Sequence, residues 1–155
     1  RAGRGWTAVR PRENYYRVPP AAGINASIND MAIWAKAQLG HRPDVLSKAL
    51  LDDLHTPIVR TPDQLAGSPW RRARLRNAHY GSGWRVFDYD GEPLVYHAGA
   101  VQGYRGMIGL LPNRDIGIVV LWNSESALPS GLMPTFFDRV LGKADGGWVD
   151  LVNGR

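Results

Sequence analysis

The chain has no cysteine among its 155 residues. That excludes disulfide bridges and thiolate metal sites and leaves the compartment open. Its longest purely apolar run is "IGIVVLW", far short of the roughly 20 residues a membrane-spanning helix requires. The four histidines (41, 55, 79 and 97) are scattered, with no two spaced three or four apart, so no zinc site is expected. Gly81-Ser82-Gly83 lacks the Gly-x-Ser-x-Gly spacing of a nucleophile elbow. Gly99, Gly103 and Gly106 fit neither a phosphate loop nor a dinucleotide fingerprint. The turn Pro112-Asn113-Arg114-Asp115 lacks the alternating carboxylates of a calcium loop. No metal and no cofactor is expected. The chain also begins at Arg1, without Met and without a leader, as a piece of a longer protein would.

What is present is globular: 44% hydrophobic and 21% charged residues, six tryptophans, 18 glycines and 11 prolines. Large rings bury well and suit a packed or ligand-stacking body. The net charge is +5, and four arginines crowd into "WRRARLRN" (Arg71, Arg72, Arg74, Arg76). A nucleic-acid interface would need a reading element beside such a patch, and none is visible. The arginines read instead as a solvated loop or one that steers acidic ligands, and no nucleic-acid partner is expected.

Residues 1–22, rich in Arg and Pro without periodicity, read as an extended arm. In "NASINDMAIWAKAQLG" Ser27 is a helix N-cap, Asp30 sits in the first turn and Gly40 stops the helix. Ile28, Met31, Ala32, Ala35 and Leu39 form its apolar stripe. "SKALLDDLH" gives a second helix, capped by Ser47 and ended before Pro57, and residues 56–78 read as a long polar loop. From Tyr80 on, "YGSGWRVFDYDGEPLVYHAG" and "YRGMIGLLPNRDIGIVVLWN" each read as strand, turn, strand, with Asp90-Gly91 suited to a tight hairpin. "PSGLMPTFFDRVLG" is an amphipathic helix able to cover one face of that sheet. The expected fold class is α+β: two helices, an antiparallel meander of about four strands, and a terminal helix. The segments are then 1–22 arm, 23–78 helical segment and loop, 79–142 sheet plus helix, and 143–155 tail.

One place on the meander invites chemistry. The apolar run "LVY" ends in His97-Ala98-Gly99. A basic side chain projecting from a strand, a small residue beside it and then a glycine would let a ligand approach the backbone closely. The next amide, at Ala100, would be free to meet a carbonyl oxygen. A lone histidine near a strand end is otherwise just a satisfied polar residue, and spacing alone favours that plainer reading without closing the other.

The run "YGSGWRV…YHAGAVQGYRGMIGLLPNRDIGIVVLWNSE", with "AGINASINDMAIWAKAQLG" before it, resembles the C-terminal part of the serine β-lactamase-like and penicillin-binding superfamily. The resemblance spans roughly Ala21 to Gly142 and is nearest the class C β-lactamases, DD-peptidases, D-aminopeptidases and family VIII-type esterases. The third family motif is Lys-Thr-Gly or a His-x-Gly variant, which His97-Ala98-Gly99 matches. The resemblance implies three roles. His97 would contact a substrate carboxylate or support the general base. Gly99 would keep the strand open to substrate. The Ala100 amide would be an oxyanion-hole donor, a kind of contact worth ~3 kcal/mol to the transition state. Because an imidazole titrates near pH 6.5, its charge at neutral pH depends on its surroundings.

Two further family motifs are missing. No serine precedes a lysine by three residues and no Tyr-x-Asn occurs. Ser27-Ile28-Asn29 imitates a Ser-x-Asn motif, but stands where a helix cap is expected. Since losing the nucleophile costs about 10⁶-fold in turnover, the chain alone is expected to be inactive. The resemblance therefore implies a C-terminal fragment of a periplasmic or secreted serine hydrolase acting on a β-lactam, a D-amino acid peptide or an ester. The face of the meander opposite the terminal helix would be covered by a missing N-terminal segment or by self-association. The alternative is a non-catalytic binding or regulatory module of the same fold.

Overall fold

The structure, a computed structural model, describes residues 5–10 and 12–151. Residues 1–4 and 11 of the arm and 152–155 of the tail lie outside the described residues. The arm is not simply extended. It holds a 3₁₀ turn, Glu13–Arg17, and a one-turn helix α1, Pro19–Ala22, where two prolines occupy first-turn positions that need no amide donor.

Helix α2 (Ile28–Gln38) begins with a complete capping box. The Asp30 amide donates to Ser27 Oγ at 3.2 Å, and the Ser27 amide donates to Asp30 Oδ2 at 2.8 Å. The helix stops at Gly40, whose φ of 90° only glycine takes easily. The Gly40 amide donates to Ala37 and the His41 amide to Lys36, at 3.0 Å each, closing a Schellman motif. Helix α3 (Lys48–His55) is capped by Ser47, whose Oγ accepts from the Leu50 amide at 3.3 Å.

Residues 56–78 are not a loop. They contain strand β1 (Val59–Arg60), a 3₁₀ turn, helix α4 (Pro69–Arg74) and most of strand β2 (Leu75–Tyr80). Two physical features hid them. A bulge between Arg76 and His79, with Asn77 at φ 52°, puts buried Leu75 and Ala78 three residues apart, out of strand period. The arginines, moreover, hydrogen-bond within the chain, although Arg72 and Arg76 stay exposed. Arg72 donates to the Gly67 carbonyl at 2.6 Å, Arg71 to the Tyr96 hydroxyl at 3.3 Å and Arg76 to the Leu75 carbonyl at 2.7 Å.

Strands β3 (Arg85–Tyr89), β4 (Glu92–Val101), β5 (Tyr104–Leu111) and β6 (Ile116–Trp122) follow, and the six-stranded antiparallel sheet runs in sequence order β1 to β6. Asp90 and Gly91 take φ of 54° and 99° in the β3–β4 turn. That is the conformation a two-residue hairpin requires. On one face, Met133 and Phe137 of α5 (Leu132–Val140) pack on Tyr89, Leu94, Tyr96, Met107 and Leu111. Gly109 permits this approach, because Met133 Sδ lies 2.6 Å from where a β-carbon would stand. The tail contributes too. Helix α6 (Trp148–Leu151) buries Trp148 in the same core.

Helix and sheet are tied there by one carboxylate. Asp138, fully buried, accepts from Arg74 Nε at 3.0 Å, the Tyr89 hydroxyl at 2.8 Å and Trp148 Nε1 at 2.7 Å. Burial, and then the Asp138 carboxylate itself, push the Tyr89 phenol far above its ordinary pKa.

The opposite face does not lack cover. Met31 and Ala35 of α2 and its C-cap Leu39 pack there with Val95, Ile108, Leu110 and Val119. Ile28 and Ala32, also of the expected stripe, remain exposed. No described helix is long and apolar enough to cross a membrane.

Candidate functional site

The site is built on the far end of β4. Strand β3 stops opposite Tyr96, at Arg85, while β4 continues to Val101. Tyr89 and Glu92 close the two-residue β3–β4 hairpin, and Val101 and Tyr104 close the β4–β5 hairpin. Closing pairs of such hairpins exchange both backbone bonds, and the ladder then alternates. Both hairpins give the same parity: even-numbered residues of β4 turn their backbone groups toward β3 and odd ones toward β5. Ala98 and Ala100 thus present amide and carbonyl to an edge where no residue of β3 stands opposite them. Gly99 and Ala100 are exposed.

This edge borders a cleft of about 740 Å³, lined by His97 to Val101 of β4, by β5, by Met31 of α2 and by the arm. His97 pairs with Ile108 in the register, which puts it on the α2 side of the sheet. It is half-buried, makes no hydrogen bond among the described residues, and meets the Tyr80 ring edge-on at 6.5 Å between centroids. Burial lowers its pKa, and the Arg85 guanidinium lowers it further. The imidazole is therefore neutral at pH 7, with one ring nitrogen to donate and one to accept.

Gly99 is informative by what it does not do. Its φ is not in the left-handed region, and a β-carbon built on it meets nothing within 4 Å. Neither backbone conformation nor packing requires glycine there, unlike at Gly109.

Sequence reasoning placed His97, Gly99 and Ala100, and the structure brings all three to one cleft. It missed the parts that frame them. The Gln102 amide donates to the Tyr15 hydroxyl at 2.9 Å, which fastens the arm across the β4–β5 turn. Glu125 accepts from the Gly103 amide at 2.9 Å and ion-pairs with Arg105. The backbone bond, then the Arg105 contact, hold its carboxyl below the ordinary range. These contacts join residues 20 or more apart in the chain, so local pattern carried no signal for them. Ser27, in contrast, is fully engaged as the α2 cap, as its position at a helix start indicates.

A meander of this order with helices on both faces, bearing a His-x-Gly strand end along an open cleft, is the α+β architecture of the penicillin-binding and β-lactamase class. A family model described as Beta-lactamase matches residues 1–142, and the chain belongs to that family. It is 29% identical over 114 residues to "Unguisins hydrolase ungD'" of Aspergillus campestris, covering 74% of this chain and 20% of that protein. It is 32% identical over 107 residues to "Protein flp" of Staphylococcus aureus strain MW2, covering 69% and 19%. Among solved structures, the octameric penicillin-binding protein homologue from Pyrococcus abyssi superposes with a TM-score of 0.67 at 28% identity, over 77% of this chain and 25% of that one. The chain thus spans about a fifth of the length of these curated relatives.

Proposed function

We propose that this chain supplies one wall of the acyl-transfer site of a serine hydrolase, as the C-terminal part of a protein that cleaves an amide or ester bond through an acyl-enzyme. The observation that carries the reading is Gly99, a glycine in open space on an uncovered strand edge, which frees room for a ligand and serves no evident structural need. In this reading the Ala100 amide is one donor of the oxyanion hole. A preorganised donor of this type stabilises charge that develops in the transition state. His97, being neutral, acts by hydrogen bond on the substrate or the general base, not as a fixed cation. The nucleophilic serine and its lysine come from an upstream segment, whose strands would continue the sheet beyond β6, its last strand. A β-lactam, a D-amino acid peptide or an ester fits this chemistry, and a secreted or periplasmic setting suits the family.

Expected in the intact protein is covalent labelling by a fluorescent penicillin or an activated-ester probe. His97→Ala should lower turnover by about 10²-fold or more with unchanged circular dichroism. The second reading, a non-catalytic module of the same fold, is motivated by the absence of Ser-x-x-Lys from these residues. Intact protein that binds such probes reversibly and is never acylated would establish it.

A further inference from the structure

The neutrality of His97 leaves the cleft without the cation that a lysine at that position would supply, yet the lining is not without charge. Among the described residues two arginines line it, Arg12 and Arg105, and no aspartate or glutamate does. Arg105 is already compensated by Glu125. Arg12 is exposed and has no hydrogen-bond or ion-pair partner among the described residues.

Its position is not accidental to the arm's path. Three residues before it, Val9 sits on the β4–β5 turn, its Cγ2 2.7 Å from where a β-carbon on Gly103 would stand. Three residues after it, the Tyr15 hydroxyl accepts from the Gln102 amide. The arm is thus pinned on both sides of Arg12, against the two residues that turn β4 into β5. We propose that Arg12 is the specificity-determining cation of the cleft, anchoring the carboxylate of a ligand whose carbonyl lies along the Gly99–Ala100 edge. Arginine suits this work, since its planar fork can grip a carboxylate with two parallel bonds. The apolar remainder of the wall, with Tyr15, Tyr16, Ile24 and Met31, would hold the uncharged body of the same ligand. The identity of the edge as the reacting side rests on the function proposed above; the anion preference does not.

The test is equilibrium binding to the intact protein, by calorimetry, of N-phenylacetylglycine and of its uncharged carboxamide. The wild type should bind the carboxylate about tenfold or more tightly than the carboxamide. Arg12→Gln should erase that preference and leave carboxamide affinity unchanged. Arg12→Lys should retain part of it. Equal affinity for the two compounds, no binding of either, or a preference that survives Arg12→Gln would overturn the proposal. Penicillin labelling run in parallel separates the two claims. A preference present without labelling removes the hydrolase and keeps Arg12, whereas labelling without a preference does the reverse.

Discussion

Glycines 99 and 109 lie on neighbouring strands of one sheet and answer to different demands. Gly109 makes room for Met133 and Phe137 of α5, so Gly109→Ala forces overpacking and should cost about 1–3 kcal/mol in denaturant unfolding. Gly99 faces open space. Gly99→Val should leave stability within about 0.5 kcal/mol of the wild type and, under the proposed function, lower turnover of the intact protein at least tenfold by crowding the ligand. A large stability loss for Gly99→Val, or full activity, would contradict the assignment of that strand edge to a ligand. Histidine titration acts at the same scale. Burial is the first cause of the lowered pKa of both His97 and His55, whose unfolded values lie near 6.5. The unfolded state therefore takes up protons first as pH falls. The stability these neutral imidazoles contribute is complete above about pH 6.5 and is lost as pH drops toward their folded values. Urea midpoints measured from pH 8 to pH 5 should fall in that window, and less steeply in His55→Asn and His97→Asn.

At the scale of elements, the Asp138 carboxylate fixes α5, α6, β3 and the end of α4 to one another. Asp138→Ala would take the buried carboxylate from Arg74 and leave the Trp148 indole N–H unpaired, while Arg74 keeps the Ala144 carbonyl and Asp90 and the Tyr89 hydroxyl keeps the Pro134 carbonyl, a loss of about 3 kcal/mol. Equilibrium unfolding would register it, and loss of near-ultraviolet signal from Trp148 would accompany it. Elements with local signatures were legible in the sequence: α2 through Ser27, Asp30 and Gly40, the β3–β4 hairpin through Asp90-Gly91, and α5 through its apolar face. Strand β2 was not, because the Asn77 bulge breaks its alternation. Helix α4 was not, because its arginines look like part of a solvated loop, while the contacts of Arg71 with Tyr96 and of Arg74 with Asp138 join residues 25 and 64 apart in the chain. The site followed the same division. His97, Gly99 and Ala100 fall within four consecutive residues and could be read together, whereas Tyr15 and Glu125 meet the neighbouring β4–β5 turn only through the fold.

For the whole molecule, the sheet divides two kinds of territory. The α5 face is closed by rings and by a buried ion pair. The α2 face is closed over β5 and β6 and open over the end of β4, where the arm leaves a cleft. Chemistry collects where one element outruns its neighbour, and here β4 exceeds β3 by the five residues from His97 to Val101.

The strictly sequential strand order has a further effect. Each strand finds its partner next in the chain, and apart from the β1–β2 connection, which carries helix α4, assembling the sheet closes only short loops, a topology that favours rapid folding. Under the proposed acyl-enzyme chemistry, an upstream half bearing the serine, expressed separately and mixed with this one, should gain acylation in proportion to complex formed, giving a split reporter whose signal is set by the association of its halves.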